Sequence, residues 1–436
     1  MSNTDFGRLT VFLFFLLAAA RLLGYAFARF RQPKVVGEIL AGILLGPSIL
    51  GHFAGRAAAF LPGHGASGAS AQSGAVLFFL YNFGLLLLMF ASGAETQGLF
   101  NRDDRRQVAW LGALGTGLPF VAALLALPFL SISSLAGSSH QRIPLVLVIA
   151  IAVAVTSIPV ISKIFHDLQV SHTRFARLVL GVAVIEDIVL WAVLAVATAL
   201  VESAGVHGRK IAVHLTLTLV YFAAGLLVAP RFLLRLNRAR WNVLYSTSPI
   251  AYAIVILLGY AALAAVLDIS LVFAAFLAGY AVVADPNLKA RAITTISEFS
   301  FAVFIPIYFA VVGYKLDLQR SFSLSLLVVF LLASSWVKLL SAGLGARVAG
   351  FNFRDSINLA SALNARGGPG IVLASVAFDA GIISSTFYTT LILVAILTSQ
   401  GAGAWLTHVL DRGQPLLSGE TAEPVTDKSE DLLAEA

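Results

Sequence analysis

The 436-residue chain is 59% hydrophobic and 12% charged, with a mean hydropathy of +0.90, and this composition excludes a water-soluble globular fold. It contains no cysteine, which excludes disulfides, thiolate metal centres and thiol nucleophiles. The formal charge of +7 does not point to nucleic acid, because the basic residues fall in short breaks between apolar runs rather than on one face.

A helix of about 20 apolar residues crosses a hydrocarbon core of roughly 30 Å. Runs of that order recur along almost the whole chain and predict an all-α membrane protein of about 13 transmembrane helices in a lipid bilayer. In chain order they cover residues 9–28, 35–51, 75–97, 107–130, 143–165, 174–202, 212–235, 249–267, 269–284, 292–314, 322–349, 355–383 and 386–411. The second and ninth are short. The first lacks a basic leader and a cleavage site, so it reads as a retained helix.

Residues 1–412 are expected to form one polytopic domain. Residues 413–436 read as a short acidic tail, disordered and too short for a nucleotide-binding domain, and the Gly/Ala/Ser-rich residues 64–74 read as a flexible loop. Alternate loops carry about 17 cations against about 7 on the other side, among them Arg102, Arg105, Arg106, Arg235, Arg238 and Arg240. By the positive-inside rule the rich side is cytoplasmic, which places the N-terminus outside and the C-terminus inside a cell membrane, the inner one in a bacterium.

The chemistry begins in the fifth predicted span with Thr156-Ser157-Ile158-Pro159. A proline inside a helix removes one backbone bond and clashes with the preceding turn, so the helix should kink or unwind there. The carbonyls freed, with the hydroxyls of Thr156 and Ser157, are hard oxygen ligands suited to Na⁺ or K⁺; a plain proline kink is the competing reading.

Glu186 and Asp187 stand near the middle of the sixth span, with no charged residue for about nine positions on either side. One charge at a membrane helix centre costs on the order of 3 kcal/mol, so two adjacent acids need a compensating role. Neighbouring residues point about 100° apart on a helix, so one partner does not readily satisfy both. The partner in view is Lys338, deep in the eleventh span, although a lysine there can also snorkel. A helix-pinning salt bridge is the plainer alternative for the acids.

In the twelfth span, Asn364-Ala-Arg366-Gly-Gly-Pro369-Gly370 predicts a second break, with Asn364 and Arg366 beside half-helix ends, or else a turn between two shorter spans. Glu38, Glu95, Asp268, Asp285, Glu298 and Asp379 fall nearer span ends, where headgroup-level solvation suffices. A faint internal repeat relates Glu38-Ile-Leu-Ala-Gly42 to Phe276-Leu-Ala-Gly279, and Phe90-Ala-Ser-Gly93 to Ala310-Val-Val-Gly313. With two broken spans in matching places, this is the pattern of an inverted repeat with two crossed broken helices. Chance similarity of small-residue packing faces is the alternative.

The ordered set Gln32-Pro-Lys-Val-Val-Gly-Glu38 through Pro47, Thr156-Ser-Ile-Pro159, Glu186-Asp187, Pro306 through Asp317, and Arg366-Gly-Gly resembles the sodium/proton exchanger superfamily, specifically its second cation:proton antiporter family. The resemblance runs from about Leu9 to Arg412. It implies exchange of Na⁺ or K⁺ for H⁺ without a cofactor, by a homodimer whose dimerisation and core helices are interleaved. It further implies that Asp187 binds the transported cation or a proton in turn, with Glu186, Thr156 and Ser157 beside it, Lys338 facing the acidic pair, and Pro159, Asn364 and Arg366 supporting the breaks. The family usually has Asp, Asn or Gln where this chain has Glu186. The cytosolic nucleotide-binding extension of some potassium efflux members is missing. A cation channel and a sodium-coupled organic-anion symporter are the rival functions; no H-E-x-x-H or G-x-S-x-G motif suggests an enzyme.

Overall fold

The computed structural model describes residues 3–29, 33–46, 49–50, 68–96, 104–202, 208–239 and 242–420. The expectations for Gln32, Pro47, residues 64–67 and the tail beyond Glu420 lie outside these. Among the described residues the architecture is all helical, and the sole departure is an isolated bridge between Ala136 and Ile383.

Every predicted span meets a helix or a helix pair. The chain runs α1 (Asn3–Arg29), α2 (Lys34–Leu45), α3 (Gly68–Thr96), α4 (Arg105–Ala126), α5 (Arg142–Ala154), α6 (Ile158–Asp167), α7 (Arg174–Glu202), α8 (Gly208–Leu227) and α9 (Ala229–Asn237). It continues through α10 (Pro249–Val266), α11 (Leu271–Val282), α12 (Pro286–Tyr314), α13 (Leu324–Val348), α14 (Phe353–Leu363), α15 (Gly367–Asp379) and α16 (Ser385–Asp411). Eight of the described helices are long and apolar enough to cross a membrane by themselves, and the α8–α9 pair, bent by 46°, makes a ninth. The second and ninth predicted spans are short helices of 12 residues each.

Polar caps start several helices. The side chains of Ser248, Ser323, Asn352 and Ser384 each accept a backbone N–H from the first turn of α10, α13, α14 and α16. In α4, Ala113–Gly117 widens into a π-helical turn. Gly/Ala/Ser-rich residues 68–74 belong to α3 rather than to a loop.

The helices divide into two sets. One joins α1, α2, α3, α10, α11 and α12; the other joins α4 to α7 with α13 to α16; α8 and α9 lie between α7 and α11. Backbone contact holds the first set together at the glycines of the faint repeat. A methyl on Gly42 would overlap the Ala310 carbonyl and one on Gly313 the Ile39 carbonyl, so α2 and α12 touch backbone to backbone. Gly93 and Gly279 stand in the same reciprocal relation to the carbonyls of Phe276 and Phe90, joining α3 to α11.

The start of the tail departs from the expectation of disorder. Leu416 and Leu417 are buried, Asn358 donates to the Leu416 carbonyl at 3.0 Å, and Ser418 donates through both N–H and hydroxyl to Asp355 at 3.0 Å. Two adjacent leucines give this segment an apolar anchor that an average over an acidic stretch conceals.

Candidate ion site

The second half of the fifth span begins with Ser157 as a cap: its hydroxyl oxygen accepts the Val160 N–H at 3.3 Å, and Pro159 stands in the first turn of α6, where its missing N–H leaves no bond unmade. The interruption is therefore Val155–Thr156–Ser157, just before the proline. In the twelfth span, Asn364, Ala365 and Arg366 separate α14 from α15, and Gly367 follows with φ of +30°.

The two breaks meet. The Ser157 N–H donates to the Ala365 carbonyl at 2.6 Å, and the Thr156 hydroxyl donates to the Leu363 carbonyl. Gly367 sits so close to α6 that a methyl there would overlap Val160 and come within 2.8 Å of the Ser157 hydroxyl. At the start of α15 the freed N–H groups of Arg366 and Gly367 are taken up by Thr398 and Ser399 of α16, at 3.4 and 3.0 Å. The second motif is thus an interior break, with Arg366 buried and Asn364 half-buried, and not a surface turn.

Glu186 and Asp187 lie on α7, against which α5 and α6 pack, and both are buried. Lys338 Nζ donates to Glu186 Oε1 at 2.8 Å and to the Ala154 carbonyl freed at the first break. Thr116, on the π-helical turn of α4, donates its hydroxyl to the same Glu186 oxygen. Arg366 donates to Ser334 of α13 at 2.6 Å and to Asn364 at 3.5 Å.

Asp187 differs from its neighbour. Neither of its carboxylate oxygens has a hydrogen-bond partner among the described residues, and the side chain is completely buried. A bare buried carboxylate costs several kcal/mol unless a counter-charge or a proton neutralises it. Oxygen-only donors, freed carbonyls and hydroxyls suit an alkali cation, and among the described residues no cluster of three or more His, Asp or Glu forms a resident metal centre.

A cavity of about 640 Å³ lies between the two helix sets; Asp187 itself is not among its lining residues. Glu38, Ser92, Glu95 and Glu298 line it from the first set, and Val160, Lys163, Trp191 and Pro369 from the second. Trp191 is one turn beyond Asp187 on α7. Headgroup-level solvation accordingly fails for Glu38, which is 5% exposed, whereas Glu95 and Glu298 line the same cavity and are exposed.

Sequence reasoning brought together Thr156, Ser157, Lys338, Glu186, Asn364 and Arg366, and missed Thr116, Ser334, Thr398 and Ser399. The run Gly112-Ala-Leu-Gly-Thr-Gly117 carried a signal for the first of these, a hydroxyl among small residues where helices approach closely.

The profile of the transmembrane sodium/hydrogen exchanger family matches residues 14–412. The chain is 26% identical over 392 residues to the Na⁺/H⁺ antiporter NhaS4 of Synechocystis, covering 88% of this chain and 92% of the relative. It is likewise 26% identical over 392 residues to the Na⁺/H⁺-K⁺ antiporter GerN of Bacillus cereus, with the same coverage. It is 27% identical over 407 residues to the K⁺/H⁺ antiporter 1 of Saccharomyces cerevisiae, of which it spans only 45%. The solved structure of the sodium proton antiporter MjNhaP1 of Methanocaldococcus jannaschii at pH 8 shares the fold, with a TM-score of 0.63 at 14% identity over 93% of this chain and 98% of that one.

Proposed function

The chain belongs to the sodium/hydrogen exchanger family, and we propose that it is a secondary antiporter, exchanging Na⁺ or K⁺ for protons across a membrane, with Asp187 as the group both ions use in turn. The observation that carries this reading is the isolation of Asp187: completely buried, without a hydrogen-bond partner among the described residues, and on a helix packed against both broken spans. Cation and proton compete for its oxygens, and either one neutralises it.

Thr156 and Ser157 supply neutral oxygens beside the carboxylate. Glu186 is held by Lys338 and Thr116, and this pairing keeps it from competing for the cation. Pro159, Asn364 and Arg366 maintain the breaks that free the carbonyls.

The two helix sets support alternating access by rocking. At one end the 640 Å³ cavity separates them; at the other, Lys315 of the first set meets Asp379 of the second at 2.9 Å. Asp379 and Tyr81 each lie eleven residues along their helices from cavity-lining Gly368 and Ser92, or about 16 Å. The cavity is reached from the side of Lys163, which the charge bias makes cytoplasmic, so this is an inward-open arrangement. A bare Asp187 cannot pass the apolar barrier between the two states, so each passage requires a bound ion and exchange is obligatory.

Thirteen membrane crossings and an inverted repeat complete the reading. If the first six and last six spans correspond, the α2–α12 contact maps onto α11–α3, and the two reciprocal glycine pairs support that correspondence. Membership of the second cation:proton antiporter family, a homodimer, a core and dimerisation division within residues 1–412, and a cytoplasmic C-terminus belong to the same proposal.

The test is reconstitution in liposomes holding a pH-sensitive dye, with an inside-acid gradient and additions of Na⁺, K⁺ or Li⁺. Wild-type protein should dequench the dye with one or more of these ions, and Asp187→Asn should not. Equal silence from both proteins defeats the proposal.

A further inference from the structure

We infer that Thr116 is a positioning residue for exchange, acting through Glu186; the inference rests on the antiporter reading above. Several other helical threonines satisfy their hydroxyls on their own helix: Thr198 donates to the Leu194 carbonyl at 3.2 Å, Thr218 to His214 at 2.9 Å and Thr389 to Ser385 at 3.0 Å. Thr116 instead reaches across to α7 and donates to Glu186 Oε1. The π-helical turn Ala113–Gly117 inserts an extra residue locally, a feature that concentrates at functional sites because it re-aims side chains.

The consequence is an uneven carboxylate. Oε1 takes both the Thr116 hydroxyl and the Lys338 ammonium, while Oε2 takes no partner among the described residues. Glu186 also borders a second cavity, of about 380 Å³, with Thr116, Gly117, Ala154 and Val155 in its otherwise apolar wall. Lys338 alone would leave the carboxylate free to swing its two oxygens. Thr116 fixes which oxygen faces the lysine, and thereby fixes the ammonium between Glu186 and the Ala154 carbonyl.

The charged groups around this arrangement are Lys338 on α13, Asp187 beside Glu186 on α7, Glu95 on α3 acting on Asp187, and Arg366 at the second break acting on Lys338. None of them replaces the hydroxyl on Oε1. Without the hydroxyl, the Glu186 carboxylate and the Lys338 ammonium no longer hold one geometry beside Asp187, and the balance between proton and cation at Asp187 shifts with them.

The experiment compares wild type, Thr116→Val and Thr116→Ser in the liposome assay across pH 6 to pH 9, with melting temperatures measured on the same preparations. Thr116→Val should displace the half-maximal pH of exchange by about one unit, the size expected for loss of one hydrogen bond to a charged group. Thr116→Ser, which keeps the hydroxyl, should restore the wild-type profile. A Thr116→Val profile that superimposes on wild type overturns the inference, as does an equal displacement in both variants. Should Thr116→Val fail to fold, Thr116→Asn, which keeps a donor, should stay within a few tenths of a unit of wild type, and a displacement of about one unit overturns the inference. Absence of exchange by the wild type overturns the antiporter reading itself and the inference with it.

Discussion

Lys338 and Glu186 meet at 2.8 Å with side chains 0% and 1% exposed, so each charge is compensated by the other and by no solvent. Removing one partner of a buried pair leaves the other charge stranded, at a cost of about 3–5 kcal/mol, whereas replacing both by apolar groups is often neutral. Lys338→Met alone should therefore lower the melting temperature of the detergent-solubilised protein markedly, and Lys338→Met with Glu186→Leu should recover most of the loss. Equal melting of the single variant and wild type would show that the pair adds nothing to stability.

Much of this centre was legible before the structure. Charge in the middle of an apolar run is expensive, so Glu186, Asp187 and Lys338 stood out by position alone, and Pro159 and Pro369 announced breaks because proline cannot continue a helix. Two kinds of feature were hidden. Thr116, Ser334 and Ser399 are ordinary polar residues in apolar spans until their partners across the bundle are known. Glu38 was misplaced because distance from a span end measures depth only for a straight helix facing lipid; a cavity between helix sets carries a polar environment inward.

The glycines of the first helix set give a prediction with an internal control. Gly42 has the Ala310 carbonyl where a methyl would go, whereas nothing lies within 4 Å of such a methyl on Gly259 in α10. Gly42→Ala must push α2 away from α12 and should destabilise by about 2 kcal/mol. Gly259→Ala gains only the helix preference of alanine and should be neutral or stabilising by about 0.5–1 kcal/mol. Thermal melts of the two variants in the same detergent check the contrast, and an equal response would mean that α2 and α12 do not touch through their backbones.

Asp285, at the start of α12, gives a pH prediction. Burial would raise its carboxyl, but hydrogen bonds from Asn237 at 2.8 Å, from Tyr245 at 2.9 Å and from the backbone N–H groups of Asn287 and Leu288 outweigh that and hold it below the ordinary value. A carboxyl depressed in the folded state stabilises at pH values above its unfolded value of about 3.9, and that stability is lost as pH falls through the folded value. Wild type should therefore melt above Asp285→Asn at pH 7 and pH 5, with the gap closing as pH falls below the unfolded value of about 3.9. A gap that does not change with pH would assign the effect to packing.

The contact at the end away from the cavity predicts how exchange can be stopped without touching the ion site. Lys315 Nζ lies 2.9 Å from Asp379 and 3.8 Å above the Tyr81 ring, while the Tyr81 hydroxyl donates to the same aspartate at 2.9 Å. With side chains 25% and 36% exposed, the ion pair is worth at most about 1 kcal/mol, weak enough to open in every cycle. A covalent bond in its place would not open. The chain has no native cysteine, so Lys315→Cys combined with Asp379→Cys introduces the only two thiols. Bridging the two thiols with a short bis-thiosulfonate reagent should abolish exchange in liposomes and reduction should restore it, with each single variant unaffected by either treatment. Undiminished exchange by the fully crosslinked protein would mean that the two helix sets do not separate at this end, and rocking about the ion site would have to be abandoned.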